Sequence, residues 1–369
     1  MNQNNHSPNK SVAVGCTVIH FAYALPPLQS GILAKLLSRY SNMGNGSAAF
    51  PYWYRHGWFP ETPTPLPAPG SITMRLSSYL RRRHPIRLYS LEETGHIAWK
   101  TNDIILGHPH PAPDTIIQHA FSSSVPCKHK ALIFPIHHAL PEINKFALPL
   151  LDQADQVFGI MGPYWKDTLS QSCFAPWEHK ITSLDMAVDG IEYPYLKKKF
   201  NPPGQRGYFY IGSSSDRPEK GCDILEKTMA KLSRFPSGWI GGGRELSSIK
   251  RMATYASLTP AFVASLANQF DFFINTSISD ANPTTILEAM AWGFPVACTP
   301  GSGYHNVPAI TTLSSTDIQH NANILLDLQF APEERLQEIS REGRRLIETH
   351  YSWERFCSTV WNGLKPYTC

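Results

Sequence analysis

A chain of 369 residues, 42% hydrophobic and 11% aromatic, is long enough for two cored domains and too apolar to be disordered. A formal net charge of +4 is small for that length, so nucleic acid is not an expected partner, while an anionic co-substrate or an anionic membrane surface is compatible with it. Seven cysteines, an odd number without a CxxC pair, argue against a disulfide framework or a zinc site and suit reduced thiols in a cytoplasmic protein. No run reaches the ~20 apolar residues of a transmembrane helix. The first ten residues, MNQNNHSPNK, lack a signal-peptide core and predict a disordered tail.

The first half reads as an α/β domain with long irregular loops, since many of the prolines fall between Pro51 and Pro113. Val12 to Ala24 is a β-branched, apolar first strand. After the loop Leu25 to Ser30, Gly31 opens a helix running to about Tyr40. Strand, glycine turn and helix make a phosphate-facing corner, or simply a helix start. Phe50 to Pro60, FPYWYRHGWFP, is dense in aromatics. It suits stacking on a sugar ring, contact with lipid headgroups, or a local core beneath a proline-rich loop. Ile72, Leu76, Tyr79 and Leu80 recur at helical spacing and end in Arg81-Arg82-Arg83-His84. Such a helix either packs on its own sheet with a solvated basic end or touches an anionic membrane.

Arg87 to Leu91 and Ile104 to Leu106 predict short strands. His108-Pro109-His110 follows the second, and no further ligand stands at metal spacing. These histidines are read as loop residues near a cleft. Ala131 to Phe134 predicts another strand, followed by Pro135-Ile136-His137-His138. Ligands of α/β sheets bind beyond the carboxyl ends of strands, so either histidine is a site candidate; a buried structural histidine is the alternative.

In the second half, Tyr208 to Ile211 is a strand ending in Gly212. A loop containing Ser213 and Arg217 leads to Lys220-Gly221, where a helix opens. Trp239 to Gly243 reads as the next strand end and turn. Thr259 to Asn268 is a helix. Then comes FFINTSISDANPTTILEAMAWGFPVACTPGSG, Phe272 to Gly303. A strand begins it; Asn282 is a candidate helix cap and Pro283 suits the first helical position. Thr284 to Trp292 fit a helix stopped by Gly293 and Pro295, and Val296 to Cys298 a second strand. Asp280 and Glu288, separated by seven residues, bracket the helix start. There the free N–H groups and the positive end of the dipole suit a phosphate. Alone, the stretch reads better as an ordinary capped helix with two solvated acids.

With its neighbours this stretch resembles the donor site of the retaining glycosyltransferases of GT-B architecture, especially glycosyltransferase family 4. The resemblance rests on Glu288-Ala289-Met290-Ala291-Trp292-Gly293-Phe294-Pro295-Val296, on Lys220-Gly221 and on the closing Tyr351-Ser352-Trp353-Glu354-Arg355-Phe356. It is strong from about Tyr208 to Phe356. The first half resembles the family in the order of its elements and in isolated residues: Ser30-Gly31, His137, Leu148 to Phe158, and Asp189-Gly190 before a linker, Tyr193 to Gly207.

The resemblance implies two Rossmann-like domains facing a cleft. Residues 11–195 would bind the acceptor, residues 205–350 the nucleotide sugar, and the helix at about 353–369 would pack back on the first domain. It also implies transfer of a sugar from a UDP- or GDP-sugar to a hydroxyl acceptor, with no cofactor and no metal, since cations and helix dipoles hold the diphosphate and the chain has no Asp-x-Asp. His137, Asp280 and Glu288 take the catalytic roles. Ser30, Gly31, Gly212, Arg217, Lys220, Gly242, Asn282, Thr284, Thr285 and Glu288 bind the donor. His138, His108 and Trp53 lie toward the acceptor, and the leaving phosphate helps to deprotonate the acceptor hydroxyl. The chain departs from the family's pattern in two places. Asp280 replaces the usual Glu, and Ser213 stands where an arginine is expected. A GT-B nucleotide-sugar epimerase or hydrolase, or a non-catalytic GT-B binding protein, are the alternatives.

Overall fold

The computed structural model describes residues 17–24, 68–91, 99–122, 124, 126–214, 217–254 and 258–368. The N-terminal tail, Ser30-Gly31 with the helix expected after it, and the aromatic stretch with Trp53 lie outside the described residues.

Two six-stranded sheets are built from successive halves of the chain. The first contains β1 (Ile19–Tyr23), β2 (Ile86–Ser90), β3 (Ile104–Gly107), β4 (His129–Pro135), β5 (Gln156–Ile160) and β6 (Ile181–Leu184), in the order β2-β1-β3-β4-β5-β6. The second contains β7 (Tyr208–Ile211), β8 (Ser237–Ile240), β9 (Lys250–Ala253), β10 (Phe272–Asn275), β11 (Val296–Cys298) and β12 (Ile310–Thr312), in the order β12-β11-β10-β7-β8-β9. All pairings among these strands are parallel. Sheets of this kind are covered on both faces, which is why β1, β3, β10 and β11 are buried throughout and read as continuous apolar runs. β9, with the burial of a half-exposed edge, carries Lys250 and Arg251 and has no apolar run to betray it.

The helices are α1 (Ala68–Arg81), α2 (Ile116–Ser122), α3 (Leu148–Gln153), α4 (Pro163–Asp167), α5 (Cys222–Lys231), α6 (Pro260–Gln269), α7 (Thr284–Trp292), α8 (Ile318–Phe330), α9 (Glu333–Thr349) and α10 (Trp353–Leu364). The α1 periodicity is met: Ile72, Leu76, Tyr79 and Leu80 are buried. That apolar face is covered by the first sheet and by α10, whose Glu354 accepts from the Tyr79 hydroxyl at 3.2 Å. The basic end stays in solvent, with the Arg83 guanidinium 3.5 Å from the centre of the Tyr79 ring. No helix among the described residues is long and apolar enough to cross a membrane.

The segment between the sheets is not a loose linker. Leu196 and Lys197 both donate their backbone N–H to the Trp292 carbonyl, at 2.9 and 2.8 Å. Lys197, first of three consecutive lysines, is buried against Asp271 at 2.8 Å, and its Nζ also donates to the Ala267 carbonyl at 2.6 Å.

In each sheet the strand order reverses once, between β1 and β3 in the first and between β7 and β10 in the second. Open α/β sheets bind ligands in the crevice at such switch points. The cleft of this molecule is bordered by Tyr23 from the end of β1 on one side, and by Gly212 and Asn275 from the ends of β7 and β10 on the other.

Candidate active site

The cleft is a cavity of about 380 Å³ between the two domains. Tyr23, Ile72, Pro135, Ile160 and Met186 give it one mainly apolar wall. The opposite wall is polar and comes from the β7 and β10 loops and the start of α7: Gly212, Ser213, Arg217, Lys220, Asp280, Asn282, Thr284 and Thr285 all reach it.

Lys220 is delivered by a sharp turn. Gly221 has φ +60°, and a Cβ there would lie 1.9 Å from the Thr276 carbonyl oxygen, so only glycine fits. The two loops are stitched together here: the Thr276 hydroxyl donates to the Gly221 carbonyl at 2.9 Å, and Ile278 N–H to Glu219 at 2.9 Å. Lys220 Nζ is consequently ion-paired with Asp280 Oδ2, both side chains about one-fifth exposed. Arg217, the candidate second cation, lines the cleft but turns its Nε to Glu219. Gly212 gives its carbonyl to the Trp239 indole at 2.8 Å.

The start of α7 differs from the expectation. Thr284 is its first residue and Pro283 holds the cap position, without a side-chain cap. Asn282 does not cap, because its Oδ1 accepts from the buried Tyr304 hydroxyl instead, and its Nδ2 is buried without a partner among the described residues. Among the described residues the start of α7 has no side-chain cap, and it lies next to a cleft bordered by Thr284 and Thr285, with the Ile286 N–H turned to the Pro283 carbonyl at 3.2 Å.

Glu288 is not in the cleft wall. It occupies a tight recess alongside, shared with Thr284, Met186 and Ala68, which also border the cleft. The Tyr193 hydroxyl lies over it, donating to Oε1 at 3.5 Å. Burial raises the Glu288 pKa to about 7, against the opposing hydrogen bonds from Thr284 and Tyr193. Tyr193 had no signal in the sequence beyond its place in the linker.

The two histidines after β4 are separated by their partners. His137 Nδ1 is hydrogen-bonded to Ser279 Oγ at 2.8 Å, beside Asp280 and across the domain boundary. Its pKa is lowered by burial and, more weakly, by Lys220, while Asp280 opposes the shift. His138 Nε2 is bonded to the Thr168 hydroxyl at 2.9 Å, and burial lowers its pKa too. Neither borders the cavity; both stand behind its wall. His108 is packed against the rings of Tyr23 and Phe134, with its pKa lowered by burial to about 4, so it too stands behind the cavity wall. Gly242 is likewise away from the cavity: its carbonyl accepts from Ser214 N–H at 2.9 Å and from the Ser213 hydroxyl at 3.3 Å. Among the described residues no group of three or more His, Cys, Asp or Glu is arranged to hold a metal.

Residues 205–325 match the family described as Glycosyl transferases group 1. The chain carries a group 1 glycosyltransferase domain. Three solved structures extend the likeness to the first domain. A UDP-forming α,α-trehalose-phosphate synthase from Burkholderia xenovorans, determined with glucose-6-phosphate, is 9% identical, covers 95% of this chain and 100% of its own, and has a TM-score of 0.58. The N-terminal domain of Candida albicans trehalose-6-phosphate phosphatase is 9% identical over 97% of this chain and 98% of its own, with a TM-score of 0.56. TarM is 15% identical over 72% of this chain, with a TM-score of 0.53, and this chain spans 55% of TarM. At such identities the likeness shows the fold, GT-B with two Rossmann-like domains. No curated protein sequence matches the chain. The glycosyltransferase domain contributes Lys220 and Asp280 to the cleft, and the facing domain contributes its apolar wall.

Proposed function

We propose that the protein is a retaining glycosyltransferase that moves a sugar from a nucleotide-diphosphate sugar, UDP- or GDP-linked, to a hydroxyl acceptor. The observation that carries this reading is the convergence of Lys220, Asp280 and the uncapped start of α7 on one cleft wall at the strand switch point. A cation and a helix N-terminus are what a diphosphate needs, both in the ground state and as charge develops on the leaving group. Asp280 then accepts hydrogen bonds from donor-sugar hydroxyls. Glu288 accepts from the ribose once Tyr193 gives way. His137, neutral near pH 7 because burial lowers its pKa, orients Asp280 through Ser279. The acceptor hydroxyl enters along the wall of Tyr23 and Ile72, and the leaving phosphate takes its proton. No separate cofactor is required in this scheme.

Lys220 drawn onto Asp280, with Arg217 on Glu219 and Ser213 in place of a cation, favours one second reading, a non-catalytic GT-B protein. Incubation with UDP-glucose, UDP-N-acetylglucosamine and GDP-mannose, followed by calorimetry and by assay of released nucleotide, decides between them. Binding with turnover supports the enzyme. Binding without turnover across a panel of hydroxyl acceptors, or no binding of any donor, sinks the enzyme and supports the second reading.

A further inference from the structure

The loop that carries Asp280 belongs to the second domain, yet it is fastened from the first. After β5 the chain passes through Gly162 into α4. Gly162 N–H donates to the Ala281 carbonyl at 2.9 Å, and Tyr164 N–H to the Gly303 carbonyl at 3.0 Å. A Cβ on Gly162 would lie 2.2 Å from that Gly303 oxygen, so the two backbones approach as closely as glycine allows. Between these bonds the indole Nε1 of Trp165 donates to the carbonyl oxygen of Asp280 itself, at 2.7 Å. Trp165 is 1% exposed. The same indole meets the His138 ring edge-on at 4.8 Å between centres and has the His137 ring at 6.3 Å. His137 in turn holds Ser279.

Three consecutive residues of the acid loop, Ser279, Asp280 and Ala281, are thus each bonded to the first domain. From its own domain the Asp280 peptide is held on the other side, its N–H donating to Gly301 at 2.8 Å. We propose that Trp165 is a positioning residue that fixes the Asp280 peptide across the domain boundary and so sets where the Asp280 carboxylate points in the cleft. An aspartate has one methylene fewer than a glutamate with which to search for its partner. Its backbone must therefore be held closely, because displacement of a catalytic group by about 1 Å costs up to ~10²-fold in rate. Losing the indole N–H leaves a buried carbonyl unpartnered and frees the peptide to rotate.

This inference rests on the glycosyltransferase reading, and the test separates the two. Wild-type protein, Trp165→Phe, Asp280→Asn and the double variant are assayed for turnover of UDP-glucose, UDP-N-acetylglucosamine and GDP-mannose, and for binding of UDP and GDP alone. Trp165→Phe should lower kcat by about ten- to a hundredfold. Its affinity for the nucleotide diphosphate, which Asp280 influences only through its ion pair with Lys220, should tighten by no more than about fivefold and should not weaken. The loss should be non-additive with Asp280→Asn, since both act through one carboxylate. Should the Phe variant fail to fold, the benzothiophene analogue of tryptophan at position 165 keeps ring size while lacking the N–H, and the same outcomes are read from it. Unchanged kcat, or losses that multiply with those of Asp280→Asn, overturn the positioning role and leave the enzyme reading intact. No turnover of any donor by wild type overturns both.

Discussion

Lys220 Nζ and Asp280 Oδ2 form an ion pair at the polar wall of the cleft, each side chain about one-fifth exposed. The cation that would hold a diphosphate is therefore engaged by the carboxylate that would hold the sugar. A donor entering the cleft must exchange one partner for the other, with phosphate taking Lys220 and sugar hydroxyls taking Asp280. Partly exposed pairs of this kind contribute up to about 1 kcal/mol, roughly a fivefold change in an equilibrium constant.

It follows that Asp280→Asn should tighten binding of UDP or GDP by roughly two- to fivefold, because Lys220 is released. The same change should lower sugar turnover by about 10²-fold or more. Lys220→Ala should weaken nucleotide binding by about 1.5–3 kcal/mol, the worth of a hydrogen bond to a charged group. Calorimetry with nucleotide and with nucleotide sugar checks both; a weaker UDP or GDP complex in Asp280→Asn would refute the exchange.

Glu288 predicts a pH dependence. Burial raises its folded-state pKa from 4.5 to about 7, so the folded protein binds this proton more tightly than the unfolded chain does. Its contribution to stability is complete below about pH 4.5, the unfolded value, and is lost as pH rises to about 7. Glu288→Gln should remove a decline on the order of 1–3 kcal/mol over that window. Denaturant unfolding at pH 5 and pH 8 measures it. On the functional side, affinity for a nucleotide-diphosphate sugar should rise between pH 6 and 8 in wild type and stay level in Glu288→Gln, as the ionised carboxylate is the better acceptor for ribose hydroxyls.

Lys197 should behave as a buried charge rather than a linker residue. Lys197→Met strands Asp271, which is 0% exposed, and should cost about 3–5 kcal/mol. Lys198→Met and Lys199→Met, at exposed positions, should fall within ±0.5 kcal/mol. Equal effects at all three positions in a denaturant titration would contradict the buried pair.

Gly221→Ala tests the turn that presents Lys220. Its positive φ and the 1.9 Å approach to the Thr276 carbonyl leave no room for a methyl group. Strain at such a position should cost on the order of 1–3 kcal/mol and displace Lys220, weakening UDP or GDP binding together with thermal stability. An alanine variant with wild-type Tm and nucleotide affinity would show that the turn tolerates the change.

Much of the second domain was legible in the residues alone, because local chemistry wrote it there. Buried parallel strands are short apolar runs, as at Phe272–Asn275 and Val296–Cys298. Helix stops are glycine and proline, as at Gly293 and Pro295. The Glu288-to-Val296 run and Lys220-Gly221 stand at fixed spacing within single loops and helices, so chain connectivity keeps them near the cleft. In the first domain the short strands at Ile86–Ser90, Ile104–Gly107 and His129–Pro135 were legible for the same reason, while their order in the sheet was not.

What only the tertiary structure decided concerns partners distant in the chain. Asn282 looks like a cap until Tyr304 takes its amide, and Lys197 looks solvated until Asp271 meets it. His137 and His138 are indistinguishable neighbours in the sequence. They differ because one meets Ser279 and the other Thr168. Trp165 carries no motif at all, and its indole finds the carbonyl of Asp280, 115 residues away, only when the two domains close on each other. A spacing rule reports what one helix or turn brings together. Whether a charge is paired, a carboxyl shielded or a loop held is set by packing across the domain boundary, which no local pattern encodes.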